Sequence, residues 1–298
     1  MASARDVGLS WALVSAVGSA LMAVPWKLTN EAGDPSHSVL ILLVVAATGN
    51  TLLSGGQWLR RESGLGLKLG RIDLAVASLL ATFTLLGNHL AALAIRDMSP
   101  SMMTLLLRAD LFFTAIVAWV LLRERPDGRF WVGALVAMGG LAVLQGVVGG
   151  GVSNVSLIAT GTAIASAACF SGLAVTTRAF VHRIDVVGVN SIRLWIAVGL
   201  WFVFNPVPDF AAIPRDQIVF AALAAIVGPF LGRLTLMLSS RYIEARLSSL
   251  AMLSAPVLTL VPAYVFLSDW PLDHQLIGGA IMLAGIAIPL WPTRSTSV

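Results

Sequence analysis

Residues 86–144 of this 298-residue chain align without a gap to the residues 145 positions further on. Gly87 falls on Gly232, Arg96 on Arg241, Ala118 on Ala263, Leu122 on Leu267, Pro126 on Pro271, Gly133 on Gly278 and Gly140 on Gly285. A duplication of this kind limits the fold to two related units. The repeated segment is apolar and of membrane length. With 57% hydrophobic and 11% charged residues, against about 25% charged in soluble domains, the chain needs lipid as its solvent.

A bilayer core about 30 Å thick takes roughly 20 residues of helix. The apolar runs predict ten spans, at 9–28, 37–59, 72–95, 99–122, 129–148, 155–178, 186–205, 216–240, 246–267 and 274–292. Gly/Pro-rich joints separate them, such as Gly33-Asp34-Pro35 and Asn205-Pro206-Val207-Pro208, and the run Gly149–Gly151 divides the halves 1–149 and 150–298. The first apolar run reads as a span and not as a cleavable leader. Five spans per half is an odd number, so the second half enters the membrane upside down. The predicted fold is therefore an all-α membrane protein of ten transmembrane helices, arranged as two inverted five-helix repeats.

Lys and Arg collect in cytoplasmic loops. With the N-terminus inside, Arg5, Arg60, Arg61, Lys68, Arg71, Arg123, Arg125, Arg129, Arg178, Arg183, Arg241, Arg246 and Arg294 fall on the cytoplasmic face, and only Lys27, Arg96 and Arg215 fall outside. Both termini are then cytoplasmic. The basic loop Arg123-Glu124-Arg125-Pro126 has the repeat mate Ser268-Asp269-Trp270-Pro271, which carries no Arg. The pI near 10.0 is thus accounted for by loops. No basic cluster with interleaved aromatics points to nucleic acid.

The two copies carry a second likeness. Ala118-Trp-Val-Leu-Leu-Arg-Glu-Arg-Pro followed by Gly133 and Gly140, and Ala263-Tyr-Val-Phe-Leu-Ser-Asp-Trp-Pro followed by Gly278 and Gly285, resemble the duplicated signature of the drug/metabolite transporter superfamily, EamA type. The one departure is Asp269 where a Glu is common. The resemblance spans essentially the whole chain and is nearest to bacterial exporters of aromatic and other neutral amino acids. It implies a multi-pass protein of the bacterial cytoplasmic (inner) membrane. Its partners would be a small-molecule substrate and the bilayer, and it would export amino acids by alternating access. It also implies a central cavity walled by helices one, three, four, six, eight and nine. One chain holds both halves, so a monomer suffices.

Ionisable groups at membrane depth mark functional sites or paired scaffolds. Arg108 and Asp110 lie mid-span in helix four, Arg193 in helix seven and Arg233 in helix eight. The repeat mates of Arg108, Asp110 and Arg233 are Leu253, Ala255 and Asn88, so these charges are not shared scaffold. Two readings are open. Arg108 could meet a substrate carboxylate or Asp110 an ammonium group, or Asp110 could pair with Arg193 or Arg233 across helices. Asp110 is also the candidate for proton coupling. Helix three adds Thr82, Phe83, Asn88 and His89 as binding candidates, with Met103 and Phe170 as apolar walls. Asn190 and Arg193 read as scaffold. Pro25, Trp26 and Pro256 are candidates for gating or hinge positions, Pro256 because a mid-span proline removes a backbone hydrogen bond.

No Walker A loop, HExxH sequence or channel filter occurs in the chain, and Cys169 is its only cysteine. This leaves a transporter without cofactor or metal, driven by the substrate gradient or by protons. An anion or sugar-phosphate-type exchanger of the same fold is the alternative. A membrane enzyme is a remote one, for want of a polar catalytic cluster near an interface.

Overall fold

The computed structural model describes residues 4–60, 70–96, 106–144, 157–267 and 272–290. All secondary structure in these residues is helical. The first family-like copy gives α1 (Ala4–Ala32), α2 (Pro35–Arg60), α3 (Arg71–Arg96), α4 (Asp110–Leu122) and α5 (Gly128–Leu144). The second gives α6 (Leu157–Phe180), α7 (Val186–Phe204), α8 (Arg215–Ala225), a π-helix over Ile226–Gly232, α9 (Arg233–Ser239), α10 (Ala245–Met252), α11 (Ala255–Leu267) and α12 (Asp273–Leu290). Among the described residues 7 helical stretches are long and apolar enough to cross a bilayer, counting α8 to α9 as one stretch and α10 with the start of α11 (Ala245–Pro262) as another, and α4 and α5 are shorter apolar helices.

The packing is that of a lipid-solvated bundle. Large apolar side chains such as Val120, Leu121, Leu157 and Val203 point outward, while small ones such as Ala77, Ala115, Ala137 and Ala167 are fully buried between helices. Close backbone approach takes the place of a hydrophobic drive that lipid does not supply. It is tightest between α5 and α12. A Cβ on Gly133 would strike the Gly285 carbonyl, and one on Gly140 would strike the backbone of Met282 and Gly278. Position 133 meeting 285 while 140 meets 278 makes the two helices antiparallel.

Helix contacts come in matched sets. α3 packs on α6, as the α8–α9 stretch packs on α1. α4 packs on α6, as α10 and α11 pack on α1. α3 meets α7, as α8 meets α2. The remaining large contacts join α5 to α12, α2 to α7 and α4 to α10.

The loops sort to two ends. At one end Arg178 bridges Glu124 at 3.0 Å and bonds the Ser240 carbonyl. Arg246 lies 3.8 Å from Asp127, Arg129 donates to Ile288 O and Arg5 to Pro289 O. The start of α1 and the end of α12 are thus neighbours. Arg123 takes the left-handed conformation (φ 59°) as it ends α4, and this turn delivers Glu124 to Arg178. At the other end Gln217 donates to Asp34 O and Ser38 Oγ, and Ser36 to Asn205.

Two helix interruptions stand out. The chain leaves α-geometry at Arg108-Ala109 and again at Leu253-Ser254, positions that are repeat mates. In each, backbone bonds shorten to a three-residue reach: Ala109 N–H to Leu106 O and Phe112 N–H to Ala109 O in the first copy, Leu253 N–H to Leu250 O and Ser254 N–H to Ala251 O in the second. Pro256 lies in the first turn of α11, where its missing N–H leaves no bond unmade. Its mate is Leu111, and the first copy breaks without a proline. The interruption therefore belongs to the shared backbone and not to Pro256.

Candidate functional site

A cavity of about 200 Å³ lies at the centre of the bundle. Its wall draws on α1 (Ser15, Ser19, Met22), α2 (Leu42, Leu43), α3 (Thr84, Asn88), α6 (Phe170), α7 (Arg193, Leu194), the π-helix (Gly228, Pro229, Gly232), α9 (Arg233, Leu236) and α10 (Met252). Both copies of the repeat thus contribute. The expected wall differs from this one in two ways: helices two and seven take part, and no described residue of helix four does.

The π-helix explains how Arg233 reaches the cavity. Pro229 cannot donate a backbone bond, and over Ile226–Gly232 the chain adopts the wider π geometry, which is frequent at functional sites. Glycines let α1 lie against it: a Cβ on Gly18 would collide with the Val227 carbonyl, and one on Gly228 with the Met22 sulfur. Arg233 follows directly. Its guanidinium carbon stands 5.7 Å from the centroid of the Phe170 ring, in cation–π range. Gly87 also meets this ring: a Cβ there would press on Phe170. Among the described residues, none accepts a hydrogen bond from the Arg233 guanidinium.

Arg193 is 1% exposed. Its Nη1 donates to Thr84 Oγ1 at 2.9 Å and its Nη2 to Asn190 Oδ1 at 2.6 Å. Asn190 in turn donates to Asn50 Oδ1, and Asn50 to the Ala46 carbonyl. Beside them Thr51 and Ser191 share a hydroxyl contact of 2.7 Å. Among the described residues the Arg193 Nε–H has no partner. Arg193, read from the sequence as scaffold, is therefore a cavity residue braced by a polar chain. The signal was present: Asn50-Thr51 in helix two is echoed by Asn190-Ser191 in helix seven, at a spacing of 140 and not 145.

Of the other candidates, Asn88 lines the cavity and donates to Thr84 O. Phe83 packs against Gly172 and the cluster around Leu80 and Leu173. Thr82 is exposed and bonds back to Ser78 O. His89, also exposed, lines a separate pocket of about 80 Å³ with Trp201 and Asn205. Arg108 is half-buried at the helix interruption and its Nε has no partner. Asp110 opens α4, in electrostatic reach of Arg108 and Arg233, with no cation within ion-pair distance among the described residues. Pro25 is half-buried in α1, Trp26 packs on the cluster that includes Val39 and Trp201, and Met103 lies outside the described residues.

This is a chamber of mixed polar and apolar lining inside a multi-pass membrane bundle. Residues 6–145 and 157–291 each match the EamA-like transporter family. The chain belongs to that family, within the drug/metabolite transporter superfamily, and carries its unit twice. No curated protein matches the chain at significant similarity. A solved structure described only as "Crystal structure of protein" aligns over 95% of this chain and 96% of its own length, with a TM-score of 0.78 at 18% identity. At that identity it speaks for the fold alone.

Proposed function

We propose that this protein is a secondary transporter that exports small metabolites, amino acids including aromatic ones foremost, across a bacterial cytoplasmic membrane. In this reading ten spans form two inverted halves, 1–149 and 150–298, and rocking of one against the other exposes the cavity to each side in turn. The observation that carries it is the cavity wall itself, drawn from helices of both copies. Inversion is supported by the antiparallel glycine contact of α5 with α12 and by the matched helix contacts. A cytoplasmic position for both termini is supported by the basic loops that gather where α1 begins and α12 ends.

The test is flux in proteoliposomes. Saturable, temperature-dependent amino acid movement is expected, and no flux across a broad metabolite panel would sink the proposal. Asp110→Asn addresses proton coupling: wild-type flux with an unchanged pH profile removes Asp110 from the mechanism. One observation favours a second reading, an exchanger of anions or sugar phosphates. Two arginines, Arg193 and Arg233, line the cavity. Counterflow with anionic substrates separates the two.

A further inference from the structure

Arg193 and Arg233 reach the cavity from different helices and lie close enough for their charges to act on each other. Like charges in a poorly screened interior repel, and buried charges are normally paired. Here the described ion pairs involve only Arg178 and Arg246, both at the basic end of the bundle. Arg193 is held by neutral oxygens, and among the described residues its Nε–H has no partner. Arg233 has the face of Phe170. Asp110 acts on Arg233 and Arg108 but is not part of the cavity wall, so one carboxylate stands against three guanidiniums. The described cavity lining contains no acid. An ammonium group entering it would find two cations and no counter-charge.

We infer that the cavity is a binding site for a small organic carboxylate on an apolar or aromatic body, and that it does not read the ammonium group of a zwitterion. The carboxylate supplies what Arg193 and Arg233 lack, and planar guanidinium forks suit it. Met22, Leu42, Leu43 and Met252 give the body an apolar bed. A sugar phosphate would press part of its hydroxylated body on these same apolar groups, which is costly, and only the side of the wall with Ser15, Ser19 and Asn88 offers it polar partners. The inference rests on the transport reading and narrows it, from amino acids in general toward organic anions.

The experiment compares three ligands with one body: 3-phenylpropionate, phenylalanine and phenethylamine. Inorganic phosphate is a fourth arm. Binding to the purified full-length protein is read by thermal shift and by displacement titration, and flux is read in proteoliposomes. The acid is expected to bind at least as tightly as the amino acid, with the amine and phosphate silent. Arg233→Gln is expected to weaken the acid by about tenfold or more, and Arg233→Lys, which keeps the charge, by less. If R233Q does not fold, the Lys variant against wild type carries the comparison, and unchanged affinity there overturns the site. The inference also falls if the amine binds as well as the acid, if phenylalanine binds about tenfold more tightly than the acid, or if no arm but phosphate stabilises the protein. Acid binding without acid flux upholds the site and sinks transport. Amino acid flux that the acid does not inhibit upholds transport and sinks the site.

Discussion

Helices α5 and α12 meet backbone to backbone through glycines that both copies keep, whereas several groups facing the cavity differ between the copies in size and charge. The first region has kept its glycines through the duplication: Gly133 and Gly278 are mates, as are Gly140 and Gly285, and the apolar mates Ala137 and Met282, Leu141 and Ile286 all lie in one buried cluster. The second has not: Arg233 is mated to Asn88, Arg108 to Leu253 and Asp110 to Ala255. At the glycine positions a Cβ would strike the facing backbone, so only glycine fits there and divergence is blocked. Where a chamber lies between helices, each copy is free to place a different group on its wall.

Five substitutions test that contrast. Gly278→Leu drives a side chain into the Leu144 backbone and should cost upwards of about 3 kcal/mol, seen as loss of the monodisperse peak in detergent. Gly139→Leu, one residue from Gly140 but with open space at its Cβ, should leave that peak intact. If both behave alike, the glycine contact is not what holds the halves. Arg193→Met should nearly abolish flux, by about a hundredfold. It removes an unpaired buried charge while orphaning Asn190 Oδ1, so stability should shift by under about 2 kcal/mol. A collapse of the fold instead would make Arg193 scaffold after all. Glu124→Gln removes the bridge to Arg178, whose side chains are 11% and 23% exposed. A loss of about 1 kcal/mol is expected by thermal unfolding. Thr82→Val, exposed on α3, should stay within about 0.5 kcal/mol of wild type with flux unchanged.

Much of the architecture was legible because it is periodic. Apolar run length marks helices, and a constant offset of 145 exposes the duplication. The glycines of α5 and α12 could be read as packing because both copies keep them. The chamber was harder. Phe170, Asn88 and Arg233 were found as polar or aromatic groups at membrane depth. Thr82 and His89, seven residues apart on α3, are exposed and lie outside the cavity wall. The place of Arg193 on the cavity wall was not legible because its braces Thr84 and Asn50 come from other helices, and helical periodicity carries no information about neighbours. The matched interruptions at Arg108-Ala109 and Leu253-Ser254 leave no glycine or shared proline to betray them. Pro256 drew attention to the right neighbourhood for a reason the first copy does not share.

Arg5 and Pro289 touch, so the polypeptide closes almost into a ring. Joined there by a short linker and opened between residues 145 and 157, the gene could be read from its second half first. Circular permutation should therefore return the same bundle, with the order of its two units in translation reversed.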